Sequence, residues 1–263
     1  MKKSDLPPIL RAKAPGEPST FRPENLLREA RRQLRRENGG VPALCLLDPD
    51  GDILSWLLAK GMARKSHSWA CYHTELFEFD WQGGTYGIVG NVVGGPFAVL
   101  VAEQMFALGC RLIVSVTSAG QIAPDLDLPC FILIDRALRD EGTSYHYLPA
   151  GDYADCHAAL AGRLAPALEA LPFSVLKGAT WTTDAPYRET EQAILEARRR
   201  GILAVEMEAA SLYAFAAARA RDIVCFAHVT NQMAAHGADF EKGAEGGAAE
   251  ALRIMAAGAT LLD

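Results

Sequence analysis

Seven apolar runs with no polar alternation, separated by helical or turn-forming stretches, constrain this 263-residue chain more than any other feature. They cover residues 41–47, 85–93, 111–118, 130–138, 174–182, 202–208 and 222–230. A strand with one wet face alternates polar and apolar residues, whereas these β-branched runs suit strands covered on both faces. Helical patterns fill the gaps at 96–109, 155–171, 190–201, 208–220 and 248–262. Alternation of this kind predicts one α/β domain over 41–263, a single three-layer unit with a central, mostly parallel mixed sheet flanked by helices.

Residues 1–40 read differently. Pro7, Pro8, Pro15, Pro18 and Pro23 mark an irregular arm, and a basic helix follows with Leu27 and Leu34 at helical spacing, stopped by Gly39 and Gly40. Arg28, Arg31, Arg32, Arg35 and Arg36 form either an anion-binding patch or a solvated helix face.

A net charge of −6 argues against a phosphate-backbone binder, so nucleic acid is not an expected partner. Cys45, Cys71, Cys110, Cys130, Cys156 and Cys225 are scattered without a C-x-x-C pair, which suggests neither a metal site nor a disulfide framework. The basic start lacks an apolar core, and no run approaches eighteen apolar residues. No membrane association is expected, and a reducing cytoplasm fits.

The chemistry-bearing residues fall at strand ends, where open α/β sheets place their sites. The stretch "GNVVGGP" (90–96) opens a helix whose free N–H groups suit an anion. "SVTSAGQIAP" (115–124), "HVTNQ" (228–232) and Thr183-Asp184 are polar in the same way, and converging polar ends make a pocket. "LLDPDGDIL" (46–54) has acids at alternate positions, but Ile53 and Ala59 replace the glycine and glutamate of a calcium loop, so a turn is expected. "ILAVEMEAASL" (202–212) places Glu206 and Glu208 around Met207 where strand gives way to helix. An unpaired buried carboxylate is costly, so these two need acceptors for their charge. The plainer role for Glu208 is to cap the helix beginning at Ala209.

Two segments, "GGPFAVLVAEQMFALGCRLIVSVTSAGQIAP" and "AVEMEAASL", resemble the glycine-proline helix, the following strand and the E-M-E ribose motif of nucleoside phosphorylases of the purine and uridine phosphorylase type. The resemblance runs from Val41 onward and implies cleavage of a nucleoside N-glycosidic bond, by phosphorolysis to free base and ribose 1-phosphate. It implies catalytic roles for Glu208 at the ribose hydroxyls and for Asn231 at the base. Substrate contacts would come from Glu206, Met207, Ser118, Gly120, Asp184, Tyr187 and Gln232. Phosphate, the co-substrate, would contact Gly95, Ser115 and Ser118, with no other cofactor and no metal. Asn231 in place of the aspartate common in purine-type members favours a pyrimidine or 6-oxopurine.

One departure stands out. The three positions where arginines hold phosphate in that family are Gly51, Ser115 and His73 here, which predicts weak phosphate binding. Arg136, Arg139, Arg188 or an arginine of the 28–36 helix are candidate replacements. A nucleosidase using water and a non-catalytic nucleoside-binding module stay open as alternatives. Self-association into a dimer, trimer or hexamer is also implied, since family members complete their sites with a neighbour's residues.

Overall fold

A computed structural model describes residues 7–11, 14–233 and 240–262; residues 1–6 of the expected arm lie outside them. Among the described residues, ten strands form one sheet: β1 (Leu44–Asp48), β2 (Ala63–Lys65), β3 (Phe77–Trp81), β4 (Gly84–Gly90), β5 (Leu112–Gln121), β6 (Cys130–Asp140), β7 (Tyr153–Asp155), β8 (Val175–Thr183), β9 (Ile202–Glu206) and β10 (Asp222–Asn231). The α-helices are α1 (Pro23–Leu34), α2 (Asp52–Ala59), α3 (Gly95–Ala107), α4 (Ala158–Glu169), α5 (Glu191–Arg199), α6 (Ala209–Arg219) and α7 (Ala248–Gly258).

The sheet runs β10-β6-β8-β9-β5-β1-β4-β3-β2, and β10 also pairs with β5. That extra pairing closes β5, β9, β8, β6 and β10 into a ring, so half the sheet is a small barrel and the other half an open extension. The sheet is mixed. β10 with β5, β5 with β1, β1 with β4, and β6 with β8 are parallel, while β5 with β9 and β6 with β10 are antiparallel. The seven expected runs are all strands, and burial explains the composition of most: every residue of β1 is buried, as is every residue of β5 except Ser118, whereas β8 leaves Leu176 and Lys177 exposed and is buried only from Thr180 on.

The strands absent from the sequence reading are short or at the edge. β3 alternates Phe77 and Phe79 with Glu78 and Asp80, and its charged positions suit the rim of a sheet. α2 is the helix missed. The turn expected at 46–54 is there, but Asp48 at the end of β1 accepts hydrogen bonds from the amides of Gly51 and Leu54, and this caps α2 straight after the turn.

α3 and α6 pack on each other on one face, and α2 and α7 pack together on the sheet. The basic helix α1 lies on α3 and buries Leu27 and Ala30 in the common core. Its arginines are largely spoken for: Arg28 and Arg32 pair with Glu29, Arg36 with Glu75, and Arg31 donates to the Gly39 carbonyl. The described part of the arm packs its short 3-10 turn, Pro8–Leu10, on the 3-10 turn Thr143–His146. No described helix is long and apolar enough to cross a membrane.

Candidate active site

Glu206 and Glu208 follow one another out of β9, and their carboxylates go opposite ways. Glu206 Oε2 accepts the amide N–H groups of Glu208 and Ala209, each at 2.7 Å, while Oε1 accepts the hydroxyls of Thr180 and Thr182 on β8. Four donors converge on one buried carboxylate. It caps the start of α6 and fixes the turn between strand and helix.

Glu208 stands at the N-cap position of α6 yet makes no capping bond. Its side chain crosses to other elements: Oε1 accepts the amide of Gly94 at 2.6 Å, and Oε2 accepts the hydroxyl of Thr117 at 2.8 Å. Gly94 is the N-cap of α3, so the anion favoured by this helix terminus is the Glu208 carboxylate. At 1% exposure the group is desolvated, and that burial, with the charge of Glu206 added, pushes its pKa up to about 8. Burial raises Glu206 too, but its four donors oppose the shift.

The other expected residues are brought together only in part. Met207 is half-buried beside the two carboxylates. Asn231, at the end of β10, is 9% exposed and held by its own surroundings: its amide donates to the Ala119 carbonyl at 3.3 Å and its carbonyl accepts from Met233 N at 3.0 Å. Gly120 is registered against Asn231, and a Cβ there would meet the Asn231 carbonyl at 3.4 Å as well as the Met233 sulfur. Gln232 is exposed at the strand end. Asp184 lies farther round the rim, accepting the Gly142 amide at 2.8 Å, with its pKa raised chiefly by partial burial. Tyr187 is not gathered in; it is 99% exposed.

The expected phosphate residues are spread out. Gly95 is buried in the first turn of α3. Ser115 lies deep in β5 at 1% exposure, its hydroxyl without a partner among the described residues. Ser118 reaches the strand end, but its amide donates to Asp50 Oδ2 at 2.8 Å. Position 51 has φ +80°, and a Cβ there would run into the Asn91 side chain, so an arginine is excluded on both counts. His73 is exposed, its ring 6.5 Å from Phe97.

Of the candidate replacement arginines, Arg188 is exposed in the 3-10 turn Pro186–Arg188, and Arg136 and Arg139 act elsewhere. Arg139 is buried and donates to Ser144 and to the Pro149 carbonyl, and Arg136 pairs with Asp155. The cation beside the β1–α2 turn is Lys242, which pairs with Asp52.

Several participants escaped the sequence reading. Thr117 and Gly94 lie inside the strand-end motifs, where neither residue type marks a site by itself. Asp50 sat in a stretch read only as a turn, and Thr180 and Thr182 looked like ordinary strand residues. Asp48 is also buried, and desolvation with the charges of Asp50 and Asp52 lifts its pKa to about 7. A cavity of about 20 Å³ lies among Asp48, Asp50, Asp52, Ser118 and His228. A larger one, about 830 Å³ beside α4, shares no lining residue with this cluster.

A mixed sheet partly closed on itself and flanked by helices, with a buried carboxylate shared between a strand and a helix terminus, defines a mixed α/β protein. The chain belongs to the phosphorylase superfamily, whose family model matches residues 52–259. It is 30% identical over 198 residues to a uridine phosphorylase of Thermococcus kodakarensis, covering 67% of this chain and 69% of that protein. It is 31% identical over 143 residues to a DeoD-type purine nucleoside phosphorylase of Myxococcus xanthus, covering 54% of this chain and 60% of that one. The chain thus spans about 60% of the length of the first curated relatives it matches. Two crystal structures of uridine phosphorylase from Vibrio fischeri ES114 share the fold, with TM-scores of 0.67 and 0.69 at 20% identity, covering 84% of this chain and 91% and 92% of theirs.

Proposed function

We propose that the protein cleaves the N-glycosidic bond of a nucleoside by phosphorolysis, with phosphate as co-substrate and no further cofactor. The observation that carries this reading is the Glu208 carboxylate, buried and anchored at once by the α3 terminus and by β5. As the bond from C1′ to the base nitrogen breaks, its electron pair leaves with the base and positive charge grows on the ribose ring. A fixed carboxylate in a low-dielectric site stabilises that charge with little reorganisation. Attack of a phosphate oxygen on C1′ completes the transfer to ribose 1-phosphate.

Asn231 is the residue for the departing base, since a carboxamide both donates and accepts. Its present bonds to Ala119 and Met233 keep it at the strand end until a base replaces one of them. A pyrimidine or a 6-oxopurine, each with a carbonyl beside an N–H, matches this pattern, and relatives are named uridine, purine nucleoside and guanosine phosphorylase. Self-association belongs to the same reading: exposed Tyr72, Val93 and Leu100 surround the first turns of α3, and sedimentation velocity would test whether copies meet there.

Water in place of phosphate is the second reading. One observation favours it: the cavity of about 20 Å³ at Ser118 has room for about one water. A panel of nucleosides incubated with and without phosphate, scored for free base and for ribose against ribose 1-phosphate, separates the two. No turnover of any nucleoside would leave only the binding-module alternative.

A further inference from the structure

Two backbone donors that suit an oxyanion in this site, the amides of Gly94 and Ser118, already hold carboxylates. Glu208 takes the α3 terminus, and Asp50 takes the Ser118 amide at the end of β5. The two differ in one respect. Glu208 is enclosed and doubly bonded, whereas Asp50 is exposed on the β1–α2 turn, and among the described residues it makes no ion pair. Lys242 goes to Asp52 instead. The turn itself is pinned, because Asp48 holds Gly51 and Leu54 and the Asn91 amide amino and carbonyl groups crowd Gly51. Position 50 is therefore delivered to Ser118 by the backbone, and its side chain alone is free to swing out.

We infer that Asp50 is an internal competitor for the phosphate seat, and that residue 50 sets how strongly the site takes up inorganic phosphate. The inference rests on the proposed function only in giving the Ser118 amide to phosphate. Two effects act together. A phosphate oxygen reaches that N–H only after Asp50 leaves, and while Asp50 stays nearby its charge repels a dianion in a site with no arginine at positions 51, 73 or 115. The small cavity supports this, since it admits a phosphate only once the Asp50 side chain vacates its place. Removing the charge should open the seat, even though an asparagine side chain of the same size still offers an acceptor to Ser118.

The test uses the full-length protein and inorganic phosphate. Calorimetric phosphate binding is measured for the wild type, Asp50→Asn and Asp50→Ala, alongside initial rates against phosphate and nucleoside. The expected result is phosphate affinity at least tenfold tighter in both variants, with the KM for phosphate falling in step and that for nucleoside within twofold. Unchanged or weaker phosphate binding in both would overturn the inference. So would a wild type that releases ribose without phosphate and loses that activity in Asp50→Asn, for Asp50 would then be serving water. If the wild type turns over no nucleoside, the proposed function fails, while the calorimetry still decides the role of Asp50.

Discussion

Glu208 Oε1 lies 2.6 Å from the amide nitrogen of Gly94, 114 residues away in the chain. That contact joins the end of β9 to the start of α3. It also separates Glu208 from a mere helix cap, because the capping of α6 is left to Glu206.

Glu208→Gln is expected to keep the fold, since its carbonyl still accepts from Gly94 and its amide can donate to Thr117. Turnover should fall by about two orders of magnitude or more, the loss seen when one preorganised transition-state contact goes. The ionised form is the useful one, and the pKa lies at about 8. Wild-type kcat/KM should therefore rise with pH through that value, about tenfold per pH unit well below it. A pH profile flat between 6 and 8 would remove Glu208 from the reaction.

The same shift has a stability side. Glu208 titrates at 4.5 when unfolded and at about 8 when folded, so the folded chain holds its proton more tightly. Its protonated form contributes stability that is fully present below pH 4.5 and lost as pH rises through about 8. Glu208→Gln should consequently melt higher than the wild type at pH 8.5. Glu206→Ala should do the reverse at any pH. It strands two amides and two threonine hydroxyls in a buried turn, at a cost of roughly 3 kcal/mol or more, about 6–12 °C in Tm. Thermal melts of the two variants side by side check both signs; equal shifts would contradict the division of labour.

His228 stacks on Phe131 with ring centroids 4.3 Å apart and planes 9° from parallel. Burial first, and the charge of Lys242 second, depress its pKa to about 4, with Asp50 and Asp52 pulling the other way. An imidazole that stays neutral in the fold but protonates at 6.5 when unfolded gives stability present above pH 6.5 and lost as pH falls toward 4. His228→Phe keeps a flat ring on Phe131 and removes the titration. Its Tm should change less than that of the wild type between pH 7 and 4.5; an equal fall in both would place the acid sensitivity elsewhere.

The strands and most helices were legible because burial on both faces leaves a plain signature, as in β1, β5 and β10. The missed elements carried other patterns: β3 alternates at a sheet edge, β7 has three residues, and α2 is eight residues directly after an acidic turn. Barrel closure was not legible at all. It depends on β10 pairing with both β5 and β6, a relation between distant segments that no local period encodes. At the site, the E-M-E pattern indicated that two carboxylates at this turn would be partnered, because charge at a buried strand end demands partners. It could not say which carboxylate had which partners, since Thr117, Gly94, Thr180 and Thr182 come from elsewhere in the chain. Asp50 was hidden for another reason: P-D-G is ordinary turn chemistry, and only the placement of β5 beside β1 reveals what its carboxylate touches.

Gly95 ties the packing of α3 on α6 to the position of Glu208. A Cβ at residue 95 would come within 2.8 Å of Ser211 Cβ and closer still to its hydroxyl. Ser211 cannot easily turn away, because that hydroxyl donates to Glu141 at 2.6 Å and Glu141 in turn accepts the Ser144 amide. Gly95→Ala should thus push the first turn of α3 off α6, at about 1–3 kcal/mol as for other overpacked cores. The Gly94 amide would move with it, away from Glu208, so kcat/KM should fall beyond what the lost stability explains at temperatures where the variant is fully folded. Ser211→Gly in the Gly95→Ala background relieves the clash, and the double variant should recover stability relative to the sum of the two single changes, a coupling read by urea unfolding. Strict additivity in that cycle would show that the two residues do not press on each other and that the close approach of α3 to α6 is not what sets the Gly94–Glu208 contact.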